Sequence, residues 1–266
     1  RKVSDPRTVE IERSIIKRFR KEIWRPFVKA LNEYDMIQEG DNIAVCISGG
    51  KDSMLLAKCM QEILRHGKME FGLKFLVMDP GYHPANRQLI EENAKLLGIP
   101  VTIFESDIFE TVVDAGGSPC YLCARMRRGN LYANARELGC NKIAYAHHRE
   151  DLIETMLLSL IYEGRFYAFS PSTYLDRTGL TVIRPMIYVK EADVIGFKNK
   201  YNLPVCKNPC PVDGHTKREY VKKLTKTLER ENPGVKDRLF HAIVDGNIEG
   251  WPEILSKSTT EVIKES

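Results

Sequence analysis

No stretch of this 266-residue chain approaches the ~20 consecutive apolar residues needed to span a bilayer, and no signal-peptide pattern opens it. The expectation is a cytoplasmic protein with no membrane partner. Internal repeats and low-complexity segments are also missing, so repeat architectures and extended disorder are set aside. Without an export signal, the seven cysteines, an odd number, are not read as a disulfide framework. In a reducing compartment, spaced cysteines point instead to metal or redox chemistry. What is present is ordinary for a globular domain: 43% hydrophobic and 29% charged residues, over a length that can bury a sizeable core.

Charge is unevenly distributed. Residues 1–29 hold ten Lys/Arg against four Asp/Glu, so the remainder of a chain of net charge +4 is slightly acidic. A basic arm on an acidic body suggests a polyanionic partner; a solvated helix face is the plain alternative. Residues 9–31 carry Ile11, Ile15, Ile16, Phe19, Ile23, Phe27 and Leu31 at three-to-four spacing, which predicts helix, with Pro26 dividing it into two.

From residue 42 onward strand and helix patterns alternate. Strands are expected over 42–47, 73–79, 100–106, 141–146 and 180–186, and helices over 52–65, 84–97, 120–138, 149–162 and 190–201. Residues 163–180, rich in Gly, Ser, Pro and Thr, read as a mobile loop. Near-continuous apolar strands separated by helix-length segments imply a doubly wound α/β fold with a parallel sheet. Three segments follow: a basic helical arm over 1–40, an α/β domain over 41–205 and a C-terminal helical segment over 206–266.

The stretch SGGKDS, residues 48–53, joins the first strand to the first of these helices. Gly49 and Gly50 allow close backbone approach to an anion. Ser48 and Ser53 offer hydroxyls, Lys51 a charge, and the helix starting near Asp52 its unpaired amides, all suited to phosphate. The spacing is neither GxxxxGK(S/T) nor GxGxxG. It resembles the pyrophosphate loop of PP-loop ATPases, which implies that ATP is cleaved between its α and β phosphates.

Cys46, Cys59 and Cys140 sit in apolar patterns and read as small buried hydrophobes. Cys120 and Cys123 are spaced to project from one helical face, compatible with zinc, a redox pair or coincidence. The string CxxCxRxRRGxLY, then HHRED, then a lone cysteine in NPC resembles the tRNA 2-thiocytidine synthetase family over most of the chain. That resemblance implies transfer of sulfur to an anticodon-loop pyrimidine of tRNA, cytidine before uridine, with ATP, Mg²⁺ and a [4Fe-4S] cluster. It implies Cys120, Cys123 and Cys210 as cluster ligands, with zinc as the competing metal, and Arg218 at an expected basic position. It further implies sulfide or a cysteine desulfurase persulfide as sulfur donor, and a homodimer. Two departures stand beside the cluster: Cys206 is four residues from Cys210, and Pro211-Val212-Asp213-Gly214 replaces the family's Gly-Ser-Gln.

Other candidates follow from position at strand ends. By the resemblance to PP-loop enzymes, Met78 stands where the adenine passes, through its main chain, and His147 is a nucleotide contact; Asp52 and Asp151 are Mg²⁺ partners, with Asp151 alternatively orienting the adenylated substrate. The predicted catalytic set is Lys51, Asp151 and Cys210. Arg125, Arg127 and Arg128 are phosphate contacts or surface charges, and Lys142 reads as exposed. Trp24 and Phe27 read as core rather than base-stacking platforms, and Lys217–Arg238 as a tRNA-backbone surface. Two other readings remain: a PP-loop enzyme acting on a small molecule, and an RNA-binding protein with a vestigial ATP site.

Overall fold

The computed structural model describes residues 5–108, 119–207, 216–246 and 251–252, without the side chains of 119–122. α1 (Pro6–Ile16) begins at Asp5, whose carboxylate accepts from the Arg7 amide, with proline in the first turn where no N–H is needed. A π-turn over Arg20–Trp24 leads into α2 (Arg25–Glu33), so Pro26 falls in a first turn and the expected division into two helices is observed. Ile11, Ile15, Ile23, Trp24 and Phe27 are buried in the main core, and Trp24 stacks on Phe27 at 6.0 Å. Both aromatics are therefore core residues, while Arg13, Lys17, Arg18, Lys21, Arg25 and Lys29 stay exposed.

Six strands make one sheet: β1 (Asn42–Cys46), β2 (Gly72–Asp79), β3 (Val101–Glu105), β4 (Lys142–Ala144), β5 (Ser172–Leu175) and β6 (Leu180–Ile183). Their order is β3-β2-β1-β4-β6-β5, parallel except that β5 runs antiparallel to β6. The helices of the α/β segment are α3 (Lys51–His66), α4 (Pro84–Leu96), α5 (Pro119–Glu137), α6 (Arg149–Glu163) and α7 (Glu191–Tyr201). α8 (Lys217–Glu231) and α9 (Val235–Asp245) follow. Side chains alternate along β1: Ile43 and Val45 join the large core, whereas Ala44 faces a second cluster with Leu131 and Ala135 of α5. Burial on both faces is why the strands read as unbroken apolar runs.

Two expectations are corrected. Residues 163–180 are not wholly loop, because β5 pairs with β6 across a turn closed by the Thr178 and Gly179 amides donating to Leu175 O. An edge strand of Ser, Thr and Tyr buries little, so its sequence lacks an apolar run. Lys142 is not exposed: its Nζ donates to Met36 O at 2.9 Å and pairs with buried Asp41 at 2.7 Å. Lys142→Met is expected to lower stability by about 3 kcal/mol, because Asp41 stays buried without its cation; the urea midpoint of unfolding checks it.

Candidate functional site

The order of the sheet reverses between β1 and β4, and ligands of open α/β sheets bind at the carboxyl ends of strands flanking such a point. A cavity of about 730 Å³ opens there. It is lined by Ser48, Asp52 and Ser53 from the β1–α3 corner, Met78 from the end of β2, and His147 and Asp151 after β4. Six residues predicted from three separate stretches of sequence are thus brought together. Lys51 stands beside them, its Nζ donating to Asp52 Oδ2 at 3.0 Å.

The loop is tied internally. The Ser48 amide donates to Ser53 Oγ at 3.1 Å, Ser53 Oγ to Gly50 O at 3.3 Å, and the Gly50 amide to Ser48 Oγ at 3.3 Å. Gly49 has φ +86°, and a Cβ there would stand 2.6 Å from Cys206 Sγ and 2.8 Å from Ile90 Cγ1. Only glycine meets both demands. Gly50 caps α3, whose first-turn amides face the loop. Asp52 Oδ1 is buried and has no hydrogen-bond partner among the described residues, so an oxygen-seeking cation is the group it fits. Asp151 is less open to such a cation: its Oδ2 accepts from the His148 amide at 2.9 Å in a capping box that starts α6.

The two histidines divide their work. His148 is buried and serves as that cap. His147 lines the cavity, lies between Tyr145 and Phe169, and accepts on Nδ1 from Arg184 Nε at 3.2 Å. Burial pulls its pKa down to about 4, so the ring is neutral at physiological pH, with its proton on Nε2. Arg184, after β6, also donates to Ser170 O and lies over the Phe169 ring.

Arg127 and Arg128 of α5 line the cavity, whereas Arg125 is exposed. Arg218 of α8 lines it too, 3.5 Å from buried Glu154. Burial, with Asp151 nearby, pushes the Glu154 carboxyl up to about 7. A carboxyl that holds its proton more tightly in the folded chain adds stability below its ordinary value of 4.5 and loses it as pH rises through 7. Wild-type stability should therefore fall between about pH 4.5 and pH 7, while Glu154→Gln is flatter there and exceeds it above that window by on the order of 2 kcal/mol. Urea midpoints across that window provide the measurement.

Sequence reasoning missed Arg184, Glu154 and Glu191, and took Lys222 only as part of the Lys217–Arg238 surface. Arg184 and Glu191 lie in no recognisable motif, whereas Glu154 follows Asp151 by one turn of α6 and Lys222 arrives on α8, which packs against α6. Of the predicted cluster cysteines, Cys123 is half-buried on α5 next to Ala124, which lines the cavity. Cys210 and the side chain of Cys120 lie outside the described residues. Among the described residues no three His, Cys, Asp or Glu side chains form a metal group. Cys59 and Cys140 are buried as expected; Cys46 is half-buried at the cavity wall, and burial pushes its thiol well above the usual range. Cys206 packs on the loop, its amide donating to Gly49 O at 2.9 Å.

A PP-loop domain family profile matches residues 18–228. The tRNA-cytidine(32) 2-sulfurtransferase of Citrifermentans bemidjiense is 38% identical over 220 residues, which cover 81% of this chain and 86% of that protein. The chain belongs to the PP-loop, tRNA-cytidine(32) 2-sulfurtransferase family. The Geobacter metallireducens member of this family is 36% identical over 234 residues, or 86% of this chain and 91% of that one. The fold is shared with the U34-tRNA thiolase NcsA of Methanococcus maripaludis, solved with its [4Fe-4S] cluster. That structure matches at a TM-score of 0.71 and 22% identity, over 88% of this chain and 82% of that chain. A mostly parallel PP-loop sheet is thus what the family and this chain have in common. Among the described residues no helix is long and apolar enough to cross a membrane.

Proposed function

We propose that this protein is an ATP-dependent tRNA sulfurtransferase that replaces O2 of cytidine 32 with sulfur. The observation that carries the reading is the SGGKDS loop opening onto a cavity of about 730 Å³ at the sheet's switch point, in a chain of this family. The α3 amides, Ser48, Gly49, Gly50, Ser53 and Lys51 hold the β and γ phosphates, with the adenine along the main chain at Met78. Mg²⁺ is held by Asp52, whose buried oxygen accepts no hydrogen bond from the described residues, with Asp151 also lining the cavity.

O2 of the cytosine attacks the α phosphorus and displaces pyrophosphate, which converts a poor leaving group into AMP. Sulfide adds at C2, and AMP departs with the former carbonyl oxygen as a proton is lost. Lys51 and the loop amides offset charge as it builds on the departing pyrophosphate. Neutral His147 contacts the nucleotide as a donor through Nε2, and Asp151 orients the adenylated base. Cys120, Cys123 and Cys210, the cysteines to which the family resemblance points, are the ligands of a four-iron cluster in this reading; when bound, the cluster would supply an open iron for a sulfur ligand. The exposed Lys/Arg of α1 to α2 and of Lys217–Arg238 meet tRNA phosphates. Sulfide or a desulfurase persulfide as donor, and assembly as a homodimer, belong to the same reading.

The test is mass spectrometry of nucleosides from tRNA of cells lacking this protein. The tRNA is treated anaerobically with iron-loaded enzyme, ATP, Mg²⁺ and sulfide. 2-Thiocytidine is the expected product. Its absence from a preparation with verified cluster and bound ATP would overturn the reading.

A further inference from the structure

Two lysines far apart in sequence meet on one carboxylate. Glu191 Oε1, at the start of α7, lies 2.7 Å from Lys222 Nζ of α8 and 3.5 Å from Lys51 Nζ of the loop. Sharing one oxygen, the two ammonium groups are at most about 6 Å apart. Glu191 is firmly placed, since its amide donates to buried Glu150 Oε2 at 2.7 Å. Burial would raise its pKa, but the Lys222 hydrogen bond and the charges of His148, Lys222 and Lys51 bring it down to about 2. It is a carboxylate at any working pH.

This arrangement changes the charge available to a polyphosphate. Lys51 is matched by Asp52 at 3.0 Å and by Glu191, so the loop side chains offer little net positive charge. Attraction for a multiply charged anion has to come from beyond the motif, and α8 supplies it. Lys222 reaches the loop through Glu191, and Arg218, one turn earlier on α8, lines the cavity and donates to Thr155 Oγ1 at 3.1 Å. α8 packs against α6, the helix that carries Asp151 and Glu154.

We propose that Lys222 is a phosphate-binding residue of the ATP site, delivered by the C-terminal helix and held in place by Glu191, and that pyrophosphate in the site secures α8. The inference rests on the ATP reading above and adds the residue and the helix that complete it. Glu191 is the positioning residue: it keeps Lys222 beside Lys51 before the nucleotide arrives.

The test is calorimetry of the full chain with Mg²⁺-pyrophosphate, ATP and AMP, alongside hydrogen exchange of α8 with and without pyrophosphate. Lys222→Met should weaken pyrophosphate and ATP binding about 10- to 100-fold and AMP binding less than about threefold, since AMP lacks the leaving phosphates. Lys222→Arg, which keeps the charge, should restore most of the loss. In the wild type, pyrophosphate should slow exchange of the α8 amides, a result that depends on no variant folding. Wild-type binding with Lys222→Met within about twofold of it, or α8 exchange unmoved by pyrophosphate, overturns the inference and leaves the ATP reading standing. A wild type that binds neither ATP nor pyrophosphate overturns both.

Discussion

Lys51→Ala should reduce the rate of tRNA thiolation by about 10²- to 10³-fold, the usual loss when one preorganised charge facing a developing anion is removed. The structure gives reason to expect the upper end. Lys51 Nζ lies between Asp52 and Glu191, so its loss removes a cation and also leaves two carboxylates facing the departing pyrophosphate. Lys222 then remains as the ammonium group on Glu191. The fold should survive, because Lys51 is part-exposed in the first turn of a helix whose core face is carried by Met54, Leu55 and Leu56. Pyrophosphate release and 2-thiocytidine formation, measured on the same samples, should fall together. A variant retaining more than about a tenth of the wild-type rate would remove Lys51 from the catalytic group.

Cys123→Ala should abolish formation of 2-thiocytidine while ATP affinity stays within about twofold of wild type. The separation follows from position. Cys123 is not among the cavity-lining residues, whereas Ala124, Arg127 and Arg128 on the same helix are. Alanine keeps the helix, and a half-buried thiol contributes little packing, so the cost to stability should be under about 1 kcal/mol. Iron content and iron–sulfur absorbance of anaerobically reconstituted protein should drop along with sulfur transfer. Unchanged transfer would remove Cys123 from the sulfur-delivery machinery. Loss of iron with transfer retained would show that the cluster is not required.

Much of the site could be read without coordinates because its parts are local. Gly49, Gly50 and Lys51 occupy one strand–helix corner, and the amides that complete it belong to the adjoining turn. Met78, His147 and Asp151 were legible for a related reason: each ends or follows an apolar strand, and parallel strands present those ends on a single edge. β5 escaped because an edge strand carries no apolar run. Lys142 was misread because the partners of a lone lysine, Asp41 and Met36 O, lie about a hundred positions earlier. Cys206 against Gly49 was equally invisible, since no spacing rule links a thiol to a loop 157 residues before it.

The amino-acid sequence by itself determined the doubly wound fold and the phosphate loop, because hydrophobic period and loop chemistry act over a few neighbouring residues. It also held the spacing of the cysteines. Only the tertiary structure decided that Asp52 keeps a buried oxygen with no hydrogen bond among the described residues, that Arg184 sets the tautomer of His147, and that Glu191 holds Lys51 and Lys222 together. Those are relations between crossovers. They are set by which strand lies beside which, and by how deeply each charge is buried once the sheet has closed over its core.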